Sequence, residues 1–305
     1  MDMKHIKVLL LSVVCLVAAT LTASAAKYPN HPLPHRPDTL KILAIGNSFS
    51  DDGTQHLPAL LEGAGIHNVI VARLYIGGCT LERHCQEYEA FKEKGLRSYI
   101  YYKSTDNEWV TVSKKASILD GIEDEDWDII TLQQASGYSG LYDSYIPYLE
   151  QLIGIVRAHC SNPDAAIVWH QTWAYATTSG HQHFKWYDKD QLKMYNAICD
   201  CVTRLKKDQD IRVVIPCGPA VQMGRGTAIS GEKELTRDGF HLSYSVGRYL
   251  AACTWFEALI RPTLGKKVKG NPARLQGTDK EVSPETAALC QQLAAKAVKK
   301  AKNKR

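Results

Sequence analysis

Beyond its first two dozen residues the sequence has no apolar run long enough to cross a bilayer, which excludes a polytopic membrane protein. It has no internal repeat, so solenoids and propellers are excluded too. Its cysteine spacings match no zinc module. It lacks a basic stripe with interleaved aromatics, so no nucleic-acid partner is expected. Excess charge is also scarce. The net value is +5 over 305 residues, and much of it sits in the final stretch KAVKKAKNKR, read as a solvated, basic helical tail.

What is present begins with a leader. Lys4, His5 and Lys7 precede an apolar run over residues 8–21, followed by Ala23-Ser24-Ala25-Ala26. That order reads as a secretory signal peptide over residues 1–25, giving a secreted or periplasmic protein with no stable membrane insertion after cleavage. Without the leader the net charge is about +4. One cysteine, Cys15, lies in the leader. The other eight are Cys79, Cys85, Cys160, Cys199, Cys201, Cys217, Cys253 and Cys290. An exported chain with an even count is able to form disulfides, buried free thiols are the other reading, and spacing gives no connectivity.

Residues 26–39 are rich in proline and histidine, lack periodicity and read as an extended lead-in. Residues 40–305 read as one domain in which short apolar runs alternate with amphipathic stretches. Strands are expected at 40–45, 69–74, 128–132, 166–170 and 212–215, and a hairpin at 99–103 and 108–112 around Asp106-Asn107. Helices are expected at 54–62, 81–94, 116–122, 145–159, 191–207, 242–259 and 284–301. Five β-runs, each followed by a helix, predict an α/β fold: a three-layer α/β/α sandwich on a central five-stranded parallel sheet. In such a sheet the chemistry belongs in the loops at the carboxyl ends of the strands.

The first of those loops reads Gly46-Asn47-Ser48-Phe49-Ser50-Asp51-Asp52-Gly53. It places Ser48 near the start of a loop leading to a helix, where backbone N–H groups are available to an oxyanion. The last loop carries Asp238-Gly239-Phe240-His241 just before a helix. A serine hydroxyl needs a base to act as a nucleophile, and the base needs a third group to orient it. Asp238 and His241 are able to supply both.

These two blocks resemble the first and last conserved blocks of the SGNH/GDSL hydrolases, in the right order along the chain, and the likeness runs from residue 40 to about residue 259. Within that superfamily the chain looks similar to a bacterial secreted subgroup of unsettled activity. The resemblance implies a flavodoxin-like SGNH hydrolase fold and a catalytic triad of Ser48, Asp238 and His241. It also implies an oxyanion hole to which Ser48 and Gly78, within Tyr75-Ile76-Gly77-Gly78-Cys79-Thr80, each give a backbone N–H. The block that normally brings an Asn side chain to the oxyanion here reads Leu132-Gln133-Gln134-Ala135-Ser136-Gly137. A Gln amide is able to donate in place of Asn, and strand alternation lets only one of the pair face the pocket, with Gln134 favoured over Gln133. Asn47 stands where the family often has Asp. It is uncharged, and is expected to hydrogen-bond the turn beside the substrate.

The loop after the fourth parallel strand is long and dense in aromatic and imidazole groups. Trp173, Tyr175 and Trp186 are candidates for a substrate wall suited to a sugar ring, with core packing as the bland reading for any one of them. Arg225 is a candidate for holding an anionic substrate group, with a surface arginine as the alternative. His170, His181 and His183 raise zinc, but no cysteine or carboxylate spacing accompanies them, and neither a metal nor a cofactor is expected. The expected activity is that of a serine ester hydrolase removing O-acyl, in particular acetyl, groups from extracellular carbohydrate. The expected partner is an acylated carbohydrate or small ester. The alternative is a catalytically weak or inactive carbohydrate-binding protein on the same fold.

Overall fold

The first strand, β1 (Leu40–Gly46, LKILAIG), is apolar along almost its whole length, the signature of a strand covered on both faces. In the computed structural model, which describes residues 32–209, 211, 213–275 and 281–303, β1 is central and parallel to both neighbours. The leader lies outside the described residues. Residues 32–39 of the lead-in form no regular element, and the first strand starts directly after them.

The parallel strands are β1, β2 (Val69–Tyr75), β5 (Ile129–Leu132), β6 (Ala166–Gln171) and β7 (Val213–Pro216). Their spatial order is β2-β1-β5-β6-β7, which is a doubly wound, flavodoxin-like order. The expected hairpin forms as β3 (Tyr99–Thr105) and β4 (Glu108–Ala116), turning at Asp106 and Asn107, both of which have positive φ. It does not stand apart from the sheet. β3 pairs antiparallel with β2, so the sheet has seven strands and not five. The β2 edge was left open by the five-strand reading, and adding the hairpin satisfies its backbone groups.

Side-chain alternation divides the core into two layers. Ile42, Ala44, Val71, Ile129 and Val168 face one way, against α2 (Leu57–Gly63), α8 (Val246–Trp255) and α9 (Pro284–Asn303). Leu43, Ile45, Ala72, Leu74, Ile130 and Ile167 face the other, against α3 (Leu81–Lys94), α4 (Ile118–Ile122) and α5 (Tyr148–His159). Local signals set the ends of these helices. The Thr80 hydroxyl caps α3 by accepting from the Arg83 N–H, and Gly95 ends it in the left-handed conformation. α6 (Gln191–Asp208) starts at the Asp190 cap. α7 (Cys217–Arg225) follows β7 directly. α8 starts at Val246, four residues later than the pattern suggests, and continues through a π-helical stretch (Phe256–Ile260).

All eight cysteines after the leader are free thiols. Six are buried, and burial pushes Cys201 and Cys290 up to about 12, which makes them unreactive packing groups. No described helix is long and apolar enough to cross a membrane.

Candidate active site

Helix α1 (Ser48–Thr54) begins directly at the tip of β1, so Ser48 is the first helical residue, with no loop in between. Asn47 makes this tight junction possible. Its side-chain oxygen accepts from the Phe49 N–H at 3.0 Å, and its amide donates to the Cys79 carbonyl at 3.0 Å, tying the β1–α1 junction to the β2 loop. At the other end of the chain the Asp238–His241 turn is closed by its own carboxylate. Asp238 Oδ1 accepts from the N–H of His241 at 2.8 Å and of Phe240 at 3.1 Å.

The two loops meet at the carboxyl edge of the sheet. Ser48 Oγ lies 2.9 Å from His241 Nε2, and His241 Nδ1 lies 2.7 Å from Asp238 Oδ2. Partial burial alone pushes the Asp238 carboxyl up, but the hydrogen bonds from the His241 ring and from the two N–H groups outweigh it and hold the carboxyl below its usual range. Asp238 is therefore an anion at neutral pH. It fixes the His241 proton on Nδ1 and leaves Nε2 to accept from the Ser48 hydroxyl.

A cleft of about 280 Å³ opens over Ser48 and His241. Tyr75, Gly77, Gly78, Ser136, Tyr138 and Phe240 form much of its lining, together with His181 and His183. Ser48 and Gly78, the residues expected to give oxyanion N–H groups, both line it. Ser48, at the first helical position, has no intrahelical acceptor. Gly78 has φ +63°, a conformation that L side chains resist, although a Cβ there would meet nothing within 4 Å. The glycine is thus required by its backbone and not by crowding.

Several expected site residues are elsewhere. Gln133 and Gln134 are both buried and hydrogen-bonded within the protein, and neither lines the cleft. Gln133 donates to Asn47 Oδ1 at 2.7 Å and accepts from Ser50 Oγ at 2.6 Å, with His170 Nδ1 at 3.1 Å. Gln134 accepts from the N–H groups of Leu81 and Ala135 and donates to Ser144. The physical reason is the same for both: each amide oxygen satisfies buried donors, the Ser50 hydroxyl and His170 Nδ1 for Gln133 and the Leu81 and Ala135 N–H groups for Gln134. Trp173 and Tyr175 are core residues and not a substrate wall. Trp173 stacks on Phe49 at 4.3 Å and donates to the Phe240 carbonyl, while the Tyr175 hydroxyl pairs with Ser136. Arg225 does not meet substrate either. Its guanidinium donates to the Ala174 carbonyl and to Gln222 and faces Glu234 at 3.7 Å, and burial lowers it to about 10 against the pull of Glu234.

Trp186 is the one expected wall residue that stays outside the core. It is 39% exposed and lies flat on His183, with ring centroids 3.9 Å apart and planes 10° apart. Tyr138 meets both rings edge-on. Gly137 is required here for closeness, since a Cβ would fall 2.3 Å from His183 Nδ1. His181 Nδ1 accepts from the His183 N–H, which leaves Nε2 of this imidazole to carry its proton. Among the described residues no group of three or more His, Cys, Asp or Glu is arranged to hold a metal ion.

Sequence reasoning missed Tyr75, Tyr138 and Phe240 as cleft residues. The signal for each was position. Tyr75 ends β2, Tyr138 follows Gly137 in the β5 loop, and Phe240 lies between Asp238 and His241.

Fold and site together define a doubly wound α/β protein with a hydrogen-bonded Ser–His–Asp chain at the carboxyl ends of its strands. Residues 41–296 match the family described as a domain of unknown function, DUF4886, and the chain belongs to that family. A crystal structure of a DUF4886 family protein from Bacteroides uniformis is similar at 40% identity, covering 86% of this chain and 95% of that one, with a TM-score of 0.76. A candidate SGNH hydrolase from Slackia heliotrinireducens is 19% identical over 72% of this chain and 98% of its own, with a TM-score of 0.45. A catalytic mutant of Axe2, an acetylxylan esterase from Geobacillus stearothermophilus, is 11% identical over 73% and 96%, also with a TM-score of 0.45. The search of curated proteins found no match.

Proposed function

We propose that the protein is a secreted serine ester hydrolase that removes O-acetyl groups from extracellular carbohydrate. One observation carries the reaction type: the continuous hydrogen-bond chain Ser48–His241–Asp238 at the floor of a cleft. His241 Nε2 takes the Ser48 proton as the oxygen attacks the acyl carbonyl, and Asp238 stabilises the resulting imidazolium. The N–H groups of Ser48 and Gly78 receive the oxyanion. His241 then protonates the leaving alkoxide, and water, activated by the same imidazole, releases the acid from the acyl-enzyme. Secretion rests on the leader sequence.

The carbohydrate reading is supported by the rim. Tyr138, His183 and Trp186 present aromatic and imidazole faces with polar edges, a surface suited to a sugar ring. The cleft itself is small, which suits a short acyl group.

The test is hydrolysis of p-nitrophenyl acetate and of O-acetylated oligosaccharides by the mature protein, beside Ser48→Ala, with and without a chelator. Wild-type turnover on both, lost by about 10⁴-fold or more in the variant and indifferent to chelator, is expected. A protein that binds the oligosaccharides but turns over neither ester, and whose Ser48 resists a fluorophosphonate, would be a binding protein on this fold.

A further inference from the structure

The site chemistry does not use Asp52, yet this carboxylate is entirely buried and lies one helical turn after Ser48 on the same short helix. Its oxygens reach across to the other end of the chain. Oδ2 accepts from the backbone N–H of Leu242, the residue after His241, at 2.8 Å. Oδ1 lies 3.0 Å from Arg237 Nη1, the residue before Asp238, and 2.7 Å from Arg248 Nε on α8. Arg237 Nη1 also donates to the Leu242 carbonyl, and the Arg237 N–H donates to the His241 carbonyl at 2.9 Å. Tyr244 covers both guanidinium groups, 4.6 and 4.8 Å from the centre of its ring.

We propose that Asp52 is a positioning residue that clamps the Asp238–His241 turn to the nucleophile helix and so sets the distance between Ser48 and His241. This inference rests on the serine-hydrolase reading of the same site. The carboxylate grips the turn immediately before Asp238 and immediately after His241, while its own helix carries Ser48 at its start. The helix and turn are nearly two hundred residues apart in sequence, and a hydroxyl–imidazole hydrogen bond tolerates little drift. Misplacement by about 1 Å is enough to slow a reaction about 100-fold. A buried carboxylate held by two guanidinium groups and a backbone N–H is a stiff joint, because any shift would stretch several hydrogen bonds at once.

The experiment compares Asp52→Asn, Arg237→Met and Arg237→Lys with wild type, using p-nitrophenyl acetate turnover normalised to the sites titrated by a fluorophosphonate. Titration removes misfolded molecules from the count, and Arg237, partly exposed, gives variants that spare the buried carboxylate. For Asp52→Asn, kcat per titrated site is expected to fall about 10- to 100-fold with KM held within about twofold. The fall in Arg237→Met is expected to be smaller, with part of it recovered in Arg237→Lys. Variants with fewer titratable sites but wild-type turnover at each would overturn the clamp and leave Asp52 a stability residue. A wild-type protein that is neither labelled nor active would instead sink the serine-hydrolase reading, and the clamp with it.

Discussion

Beneath Ser48, the side chains of Asn47, Ser50, Gln133 and His170 are buried and bonded to one another. At the mouth of the same cleft, Tyr138 and His183 line it and are partly exposed, and exposed Trp186 lies flat on His183 with Tyr138 edge-on to both rings. Most polar groups of the floor, His170 Nε2 excepted, already have hydrogen-bond partners, so it holds geometry and has little left to offer a ligand. The rim keeps polar edges and apolar faces in contact with water, where a ligand is able to use them. Polarity near a nucleophile is therefore a poor guide to which residues meet substrate. Whether the polar atoms are already spent is a better one.

The sharpest way to break this comparison is Gln133→Leu. The substitution removes the donor to Asn47 and the acceptor for Ser50 and His170, leaving buried groups without partners. A loss of about 3 kcal/mol is expected, measured by urea unfolding, together with a fall in kcat as the Asn47 cap loosens. If the floor instead bound substrate, the variant would raise KM and leave stability within about 0.5 kcal/mol of wild type.

Histidines sharpen the comparison through pH. Burial holds His170 at about 3, and its Nε2 has no partner among the described residues. Buried His84, against Tyr99, is likewise held at about 3. Rim residues His181 and His183 are lowered too, by partial burial first and by neighbouring positive or ionisable groups second. For His170 and His84 the folded value lies below the unfolded value of about 6.5, so the unfolded chain binds the extra protons in between. Stability is thus complete above about pH 6.5 and declines as pH falls toward about 3. Calorimetry is expected to show a falling melting temperature over that window. Proton uptake on unfolding near pH 5 should drop by about one in His170→Gln. An unchanged uptake would mean that His170 is protonated in the fold.

Much of this was legible beforehand, and the reason lies in which interactions are local. The apolar runs of β1 and β2, the hairpin at Asp106-Asn107 and the Thr80 and Gly95 ends of α3 are all written within a few residues. That Ser48, Asp238 and His241 would be brought together was legible from order and strand-end position. What was not legible depended on partners far along the chain. Whether Gln134 faces a pocket or the Leu81 N–H, and whether Arg225 meets a ligand or the Ala174 carbonyl, is decided by residues about fifty positions away. The hairpin itself was readable, but its docking on β2 was not, because an open sheet edge carries no local sequence mark.

The smallest effect tests the rim directly. Trp186 contributes a ring face stacked on His183 and little to the core, being 39% exposed. Trp186→Ala is therefore expected to leave the melting temperature close to wild type. On an O-acetylated oligosaccharide KM should rise about fivefold, the equivalent of about 1 kcal/mol for one lost stacking face, with kcat nearly unchanged. A loss confined to KM is what a surface that binds substrate and transition state alike produces. A fall in kcat at constant KM would place Trp186 with the floor, as a residue that shapes the cleft through His183, and would remove the main support for a sugar-binding rim.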